Sequence, residues 1–311
     1  MIQFRRQPTS KAIAGVISFI IYSLHVANKS GHILTLAASA LLSLVVALIC
    51  ALFLFVEPIP QSQSYHNFAD KRIFLCSCHG TSEGFFLPPG TNRNRNNGFI
   101  IPNFGDVVSN FVIFVGGVFG LALMYFNRAE VVDEDPIRTW QLQFCLPIFF
   151  SSTVAISAGS TYYHWSPSNN SLVWDRLPMT LAFVSIFCFM LEEYIPTVGI
   201  GQSLLHPFLG IGVFSVLYWS WTDDLRLYAL VQFLPLVMIA ALLACYQSRH
   251  GGTVQQTFGL VCYAIAKVCE ERDYEIYSWT NRIISGHSLK HVFAGLASIS
   301  IASMMLMNEG D

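Results

Sequence analysis

Long apolar segments recur along this chain and restrict its fold more than any other feature. Most are separated by short polar stretches, and each is near the roughly 20 residues that a helix needs to cross a bilayer. Only 12% of the residues are charged and 53% are hydrophobic, whereas soluble domains carry about 25% charge. Because helices satisfy their own backbone hydrogen bonds in lipid, the sequence predicts an all-α, polytopic helical bundle in a membrane.

Eight apolar segments are predicted as membrane spans. They are Ile33–Val56, Asp106–Phe126, Phe144–Tyr163, Leu177–Tyr194, Leu204–Trp221, Leu227–Tyr246, Val254–Glu270 and Ser288–Met307. The last seven predict a seven-span core over residues 106–307, and the first is an extra N-terminal span over residues 33–56. The chain is therefore predicted to be a multi-pass integral membrane protein.

Two polar regions lie outside the predicted spans. Residues 1–32 are predicted to form a basic, interfacial segment. Its apolar stretch Ala12–Ala27 is short for a span and is predicted to be an interfacial or re-entrant helix, or an uncleaved anchor. Residues 57–105 form a polar loop, in which the run Asn92–Gly98 favours a flexible insertion.

Charge and cysteine content narrow the possible partners. The net charge of −2 and the lack of a long basic segment exclude nucleic acid, so lipids are the expected partners. Six of the eight cysteines lie inside apolar segments, where a thiol behaves as a small hydrophobe. The other two, Cys76 and Cys78, are closer together than the cysteines of known zinc motifs, which argues against a metal site there.

Polar residues at the ends of three predicted spans could converge on one site. Ser160 and His164 are four residues apart at the end of one span, so they face the same side of a helix. Asp175 begins the next span after a loop of about ten residues. His287 and His291 begin the last span with the spacing at which a helix offers two imidazoles to one zinc ion. Counting the spans places all three helix ends on one side of the membrane.

Three neutral imidazoles with one open position match a catalytic zinc site, in which the pKa of a bound water falls to about 7. Asp175 is predicted to orient that water or to take its proton, and Ser160 to donate a hydrogen bond to an oxyanion. Each residue also has a structural alternative. His164 alone suits the membrane interface, and Asp175 suits the N-cap of the span that follows it. Ser160 suits a hydrogen bond to a carbonyl one turn back.

Other polar residues are predicted to have structural roles only. Lys267 and Glu271 are four residues apart and could form an ion pair on one helix. The remaining histidines outside the polar loop lack a partner at ligand spacing and are predicted to be solvated; they are His25, His32, His206 and His250.

Taken together, the segments Ser160–His164, Asp175–Pro178 and His287–His291 resemble the alkaline ceramidase family, within a superfamily that also holds the adiponectin-type receptors. The family pattern is Ser-x-x-x-His, an Asp-x-Leu-Pro segment eleven residues on, and a C-terminal His-x-x-x-His. Asn103–Asn110 looks like the first core helix of this family, and Tyr65–Arg72 looks like the leading segment of its bacterial-type members.

The resemblance implies a zinc ion held by His164, His287 and His291, with Ser160 and Asp175 in contact with its bound water. It also implies a membrane amidase that hydrolyses the N-acyl bond of ceramide-like sphingolipids to a sphingoid base and a fatty acid. In a eukaryotic cell such a protein is expected in the endoplasmic reticulum or the Golgi. The alternatives are an adiponectin-receptor-like receptor or scaffold with a structural zinc, and a hydrolase of another lipid amide or ester.

The sequence departs from the family at the position of a second metal. Animal-type members carry an acidic calcium-binding cluster before the first core helix and an acidic residue where this chain has Asn103. Only Asp70 stands out near that position here, which argues against calcium as a cofactor.

Overall fold

Helices make up most of the protein, as the composition predicts. A computed structural model describes residues 36–77, 84–87, 98–126, 135–196 and 199–306. The helices within these ranges are α1 Leu36–Phe55, α2 Phe104–Phe126, α3 Pro136–Trp165, α4 Asn169–Tyr194, α5 Ile200–Thr222, α6 Arg226–Cys245, α7 Thr253–Glu271, α8 Asp273–Trp279 and α9 Gly286–Ser303. The predicted segment Ala12–Ala27, the histidines at 25 and 32, and residues 92–97 of the polar loop lie outside the described residues.

Six of the described helices are long and apolar enough to cross a membrane: α2 to α6, and α9 with the short 3-10 turn that extends it to Leu306. The helices thus support an integral, multi-pass membrane protein with an α-helical bundle. Helix α7 is not among the six, because polar residues such as Gln255, Gln256 and Lys267 reduce its apolar character. The described apolar part of α1, Leu41–Phe55, is shorter than a span. The count of seven core spans stays a prediction.

Helix α4 lies at the centre of the bundle. Its apolar window is 67% buried, more than that of the other five candidate spans, and it packs against α3, α5 and α6. Helix α9 packs against α2 and α7, and α2 packs against α3, whereas the contact between α6 and α7 is sparse. Only Ser166–Ser168 connect α3 to α4, so these helices run in opposite directions. His164 and Asp175 therefore lie at one end of the bundle, and Asp135 and Glu193 lie at the other.

A small antiparallel sheet precedes α2, and the sequence analysis did not predict it. Its strands are β1 Ile73–Ser77, β2 Gly84–Leu87 and β3 Gly98–Ile101, in the order β2-β1-β3. Phe74 of β1 pairs with Phe86 of β2, and both rings pack against Phe104 at the start of α2, with ring centroids 5.0 and 5.3 Å from it. Arg72, just before β1, lies over the Phe86 ring, and its carbonyl oxygen accepts a hydrogen bond from Phe104 N, so the sheet and the start of α2 fix the end of the segment that precedes them.

A polar cluster joins three segments at the opposite end of the bundle. His250, in the connection between α6 and α7, contacts Glu193 Oε2 through Nδ1 and Asp135 Oδ2 through Nε2, both at 2.8 Å. Glu193 is 1% exposed and also accepts hydrogen bonds from Ser248 and from Gln141 in α3. The prediction that His250 is solvated and without a partner is therefore wrong. Its partners are 57 and 115 residues away in the sequence, beyond the range of a spacing argument.

The position of His250 between two carboxylates predicts that the stability of the protein depends on pH. Its hydrogen bonds to Glu193 and Asp135 raise the pKa of His250 above the usual 6.5. Because the pKa of His250 is higher in the folded than in the unfolded state, protonation of His250 stabilises the fold. This stabilisation is fully present below about pH 6.5 and is lost as the pH rises through the pKa of His250 in the folded state. We expect the apparent melting temperature of the solubilised protein to decrease as the pH is raised from 6.5 into the alkaline range. The variant His250→Gln should show a weaker dependence of melting temperature on pH.

His206→Gln provides the matched control, because His206 lies exposed on α5. This variant should keep the pH dependence of the unaltered protein. A profile for His250→Gln that is as steep as that of the unaltered protein would contradict the assignment.

Candidate metal centre

Three buried histidines meet at one end of the bundle. His164 comes from the last turn of α3, and His287 and His291 come from the first two turns of α9. Each offers one ring nitrogen, and these three nitrogens all lie within 4.8 Å of one another. The side chains are 0%, 4% and 1% exposed, respectively. The structure thus brings together the three residues that the sequence predicts as metal ligands.

The hydrogen bonding of these imidazoles fits a bound metal ion. Neither ring nitrogen of His164 has a hydrogen-bond partner within the described residues, although both are buried. Buried polar atoms without a partner are rare, because their desolvation is not compensated. A cluster of three neutral nitrogen donors in a closed environment can hold a divalent metal, and zinc accepts such a donor set. The three histidines therefore form a site that could hold a metal ion.

Ser109 of α2 orients one of the histidines. Its hydroxyl lies 2.8 Å from His291 Nδ1, which leaves His291 Nε2 as the atom available to a metal. Nearby, Asp106 accepts hydrogen bonds from Ser285 and Ser288 at 2.7 and 2.8 Å and so ties α2 to the start of α9. Neither Ser109 nor Asp106 was predicted from the sequence to lie near the metal ligands.

Removal of the Ser109 hydroxyl should weaken metal binding without removing a ligand. Partners that orient a metal-binding histidine contribute about 10- to 100-fold to affinity, so we expect a loss of that size for Ser109→Ala. Competition with a chromogenic chelator measures this affinity on the purified protein. Ser185→Ala is the control, because it also removes a serine hydroxyl from inside the bundle, but the Ser185 hydroxyl donates to the carbonyl oxygen of Ala182 in its own helix, α4. Equal affinities for the two variants would refute the role of Ser109.

Ser160 and Asp175 lie beside the histidine cluster. The Ser160 hydroxyl is 3.4 Å from His291 Nε2 and within hydrogen-bonding reach of the Asp175 carboxylate, which is itself 5% exposed. Helix α4 begins at Asn169, and its N-cap is Ser168, whose side chain accepts a hydrogen bond from Ser171 N. The alternative prediction that Asp175 is an N-cap is therefore wrong, because Asp175 lies in the second turn of the helix.

The segment Tyr65–Asp70 covers the cluster from outside the bundle. The Phe68 ring lies 4.5 Å from the ring of His164 and 5.1 Å from that of His287, measured between centroids. Ala69 N donates to the Asp273 carboxylate, which also accepts from His287 N, at 2.9 and 2.8 Å. The Tyr65 hydroxyl donates to Glu270 at 3.0 Å. This cover segment excludes bulk water from the side of the histidines that faces away from the bundle.

The histidine cluster opens on its other side into an apolar cavity of about 330 Å³. Ser160, Asp175 and His291 border one end, and Met190 and Ile301 border the other. Asp175 and Met190 are 15 residues apart on α4, which corresponds to roughly 22 Å along the helix at 1.5 Å per residue. The cavity therefore extends from the metal centre through much of the depth of the bundle.

Charged residues border the cavity only near the metal centre. Glu270 accepts from Lys290 Nζ at 2.7 Å and also pairs with Lys267. Lys267 therefore pairs with Glu270, three residues on, and the predicted pair with Glu271 is not the one that the structure contains. Arg176 lies against three aromatic rings at the same end of the cavity. Arg176, Glu270 and Lys290 were not predicted as site residues from the sequence, because they approach one another only in the tertiary fold.

Comparison with protein-family models, with curated proteins and with solved structures finds no match to this chain. Any functional assignment therefore depends on the geometry and chemistry of the cluster and its cavity.

Proposed function

We propose that this protein is a zinc-dependent membrane amidase that hydrolyses the N-acyl bond of ceramide-like sphingolipids to a sphingoid base and a fatty acid. One observation carries the proposal. Three buried imidazoles converge beside a serine and a carboxylate, and this polar group lies at the end of an apolar cavity within a membrane bundle. Pockets for small molecules combine an apolar lining with a few convergent polar groups in this way.

His164, His287 and His291 would hold the zinc ion. When bound, zinc polarises a carbonyl group and lowers the pKa of a coordinated water to about 7. The arrangement supports a hydrolytic rather than a purely structural zinc, because three protein ligands converge within the described residues and His291 of this group lies beside Ser160 and the cavity. Structural zinc sites are usually closed by four protein ligands.

Asp175 would move the protons of the reaction. Its carboxylate can accept a proton from the water that attacks the amide carbonyl and can return that proton to the leaving nitrogen. The new C–O bond forms as the C–N bond breaks, which yields a carboxylic acid and an amine. Ser160 can donate a hydrogen bond to the negative charge that develops on the carbonyl oxygen. Both side chains border the cavity, so an amide placed there lies within their reach.

The cavity would hold the hydrocarbon chain of the substrate. Its lining away from the metal centre is mostly apolar, for example Phe149, Phe183 and Ile239. The sparse packing between α6 and α7 supports lateral entry of a lipid from the bilayer. Phe233 of α6 borders the cavity and is 47% exposed at that position. The cover segment Tyr65–Asp70 would keep bulk water from the amide at the other end.

The test is hydrolysis of a panel of ceramides by the purified protein, with metal content measured on the same sample. We expect about one zinc per chain, release of a fatty acid and a sphingoid base in equal amounts, and loss of turnover on chelation that zinc restores. Zinc retained without turnover of any ceramide would contradict the amidase and favour a receptor or scaffold with a structural zinc. Turnover of other lipid amides or esters, but of no ceramide, would contradict the substrate class alone.

A further inference from the structure

Arg176 is a buried cation at the polar end of the cavity that forms no ion pair within the part of the chain that the structure describes. It is 6% exposed, and its Nη1 has no hydrogen-bond partner within the described residues. None of the ion pairs among those residues includes it. Its guanidinium carbon instead lies 4.3 Å from the ring centroid of Trp219, 4.7 Å from that of Tyr228 and 5.5 Å from that of Tyr65. The rings hold the guanidinium in place but do not neutralise it.

Arg226, the second buried arginine among the described residues, has an anionic partner. Arg226 is 2% exposed and pairs with Asp224, with 2.6 Å between Nη2 and Oδ2. Burying a charge without a partner is costly, whereas burying it in a well-formed pair is tolerated. Arg176 therefore lacks the partner that its counterpart has.

The remaining charges around the cavity do not supply that partner. Lys267 and Lys290 share the carboxylate of Glu270. Asp175 interacts electrostatically with Lys290 and Arg176 and lies beside Ser160, but it forms an ion pair with neither cation within the described residues. With Arg176 included, three cations and two carboxylates border the cavity, which leaves one positive charge in excess. A second buried donor close to Arg176, the indole Nε1 of Trp219, also has no partner within the described residues. Arg176 borders the cavity, whereas Trp219 is not among the residues that line it, so Arg176 is the donor placed to meet an acceptor held in the cavity.

We infer that Arg176 binds a phosphate group on the polar end of the lipid substrate, so that the substrate is a phosphate-bearing N-acyl lipid. The inference rests on the proposed amidase function and narrows its substrate class. Guanidinium groups form strong, charge-assisted hydrogen bonds with phosphate, and aromatic stacking fixes the plane of the guanidinium in advance. The metal centre and Arg176 lie at one end of the bundle, and the phosphates of membrane lipids lie near the ends of helices that cross the hydrocarbon core. An acyl chain in the cavity places the polar end of the lipid beside Arg176.

Binding of two matched lipids to the full-length protein in nanodiscs tests the inference without reference to turnover. The probes are a short-chain ceramide and the same ceramide with a phosphate on its primary hydroxyl, and inorganic phosphate is the third. We expect the phosphorylated lipid to bind about tenfold or more tighter than the neutral one, as a charge-assisted hydrogen bond allows. Inorganic phosphate should bind far more weakly than the phosphorylated lipid. Equal affinity of the two lipids overturns the inference, and inorganic phosphate binding as tightly as the phosphorylated lipid overturns its assignment to a lipid.

The variants Arg176→Gln and Arg176→Lys locate the phosphate. Arg176→Gln should lose the preference for the phosphorylated lipid, and Arg176→Lys, which keeps the charge, should retain part of it. Arg272→Gln is the matched control, because Arg272 is 59% exposed and pairs only with the nearby Glu275. An undiminished preference in a folded Arg176→Gln protein overturns the inference. If Arg176→Gln does not fold, the inference is tested by the Arg176→Lys protein and by the affinities of the two lipids for the unaltered protein.

The same samples separate this inference from the proposed function. A phosphate preference that depends on Arg176, in a protein that hydrolyses neither lipid, supports the binding site and contradicts the amidase. Hydrolysis of both lipids with equal affinity supports the amidase and contradicts the phosphate site.

Discussion

Replacement of His291 with alanine is expected to remove both bound zinc and lipid hydrolysis. His291 is 1% exposed and is one of only three imidazoles that converge within the described residues, so its loss leaves two nitrogen ligands. The loss of metal affinity should exceed the about 10- to 100-fold expected when a residue that only orients a ligand is removed. Metal analysis after dialysis and release of fatty acid from ceramide measure the two effects on one preparation.

Two further variants separate the loss of metal from the loss of catalysis. Asp175→Asn should keep the zinc, because Asp175 is not among the three residues whose ligand atoms converge, yet it should lose most of the turnover because the amide cannot accept a proton. His206→Ala, which removes an exposed histidine from α5, should retain both zinc and turnover. Hydrolysis that persists in metal-free His291→Ala protein would exclude a metal-dependent reaction at this site. Turnover that Asp175→Asn leaves unchanged would assign the proton transfer to another group.

The helices and the three histidines were predictable because both depend on local sequence. An apolar run defines a helix in lipid, and a separation of four residues places His287 and His291 on one face of it. Span counting then placed His164 at the same end of the bundle. Each of these steps uses only the order and spacing of residues along the chain, and the convergence of the three side chains in the structure agrees with them.

The contacts that complete the site were not predictable, because each joins segments far apart in the sequence. Ser109 and His291 are 182 residues apart, and Tyr65 and Glu270 are 205 apart. The spacing of residues in a single sequence gives no information about contacts between segments this far apart. The same limit explains the wrong prediction for His250, whose two carboxylate partners lie on other segments.

Composition was also an incomplete guide to which helices are spans. Helix α7 forms as predicted, but its polar residues serve the interior of the bundle: Lys267 and Glu270 border the cavity, and Gln256 accepts a hydrogen bond from the Tyr194 hydroxyl. A helix that borders a cavity inside the bundle need not be apolar on every face. The start of α4 shows a related error, since Asn169 to Trp174 are polar enough to look like a loop yet form its first turns.

Replacement of Gly159 with alanine should disrupt the site through the packing of two helices. A Cβ atom at Gly159 of α3 would overlap the carbonyl oxygen of Trp174 in α4 and lie 3.1 Å from Asp175 N. Since these obstacles are backbone atoms, the two helices must separate to admit the methyl group. Overpacking of this kind costs about 1–3 kcal/mol in stability. It would also move Ser160, the next residue of α3, away from Asp175. We therefore expect a lower apparent melting temperature and a loss of ceramide hydrolysis.

Gly259→Ala distinguishes this mechanism from a general effect of adding a methyl group to a glycine in a helix. A Cβ at Gly259 in α7 would meet its nearest neighbours at 3.4 Å, which is ordinary van der Waals contact. Alanine also favours a helix over glycine by up to about 1 kcal/mol, so this variant should be as stable as the unaltered protein or more so. Equal melting temperatures for Gly159→Ala and Gly259→Ala would show that the close approach of α3 and α4 does not constrain the fold. A stable Gly159→Ala protein with full turnover would mean that hydrolysis tolerates displacement of Ser160 from Asp175, and the proposed pairing of these two residues would then be wrong.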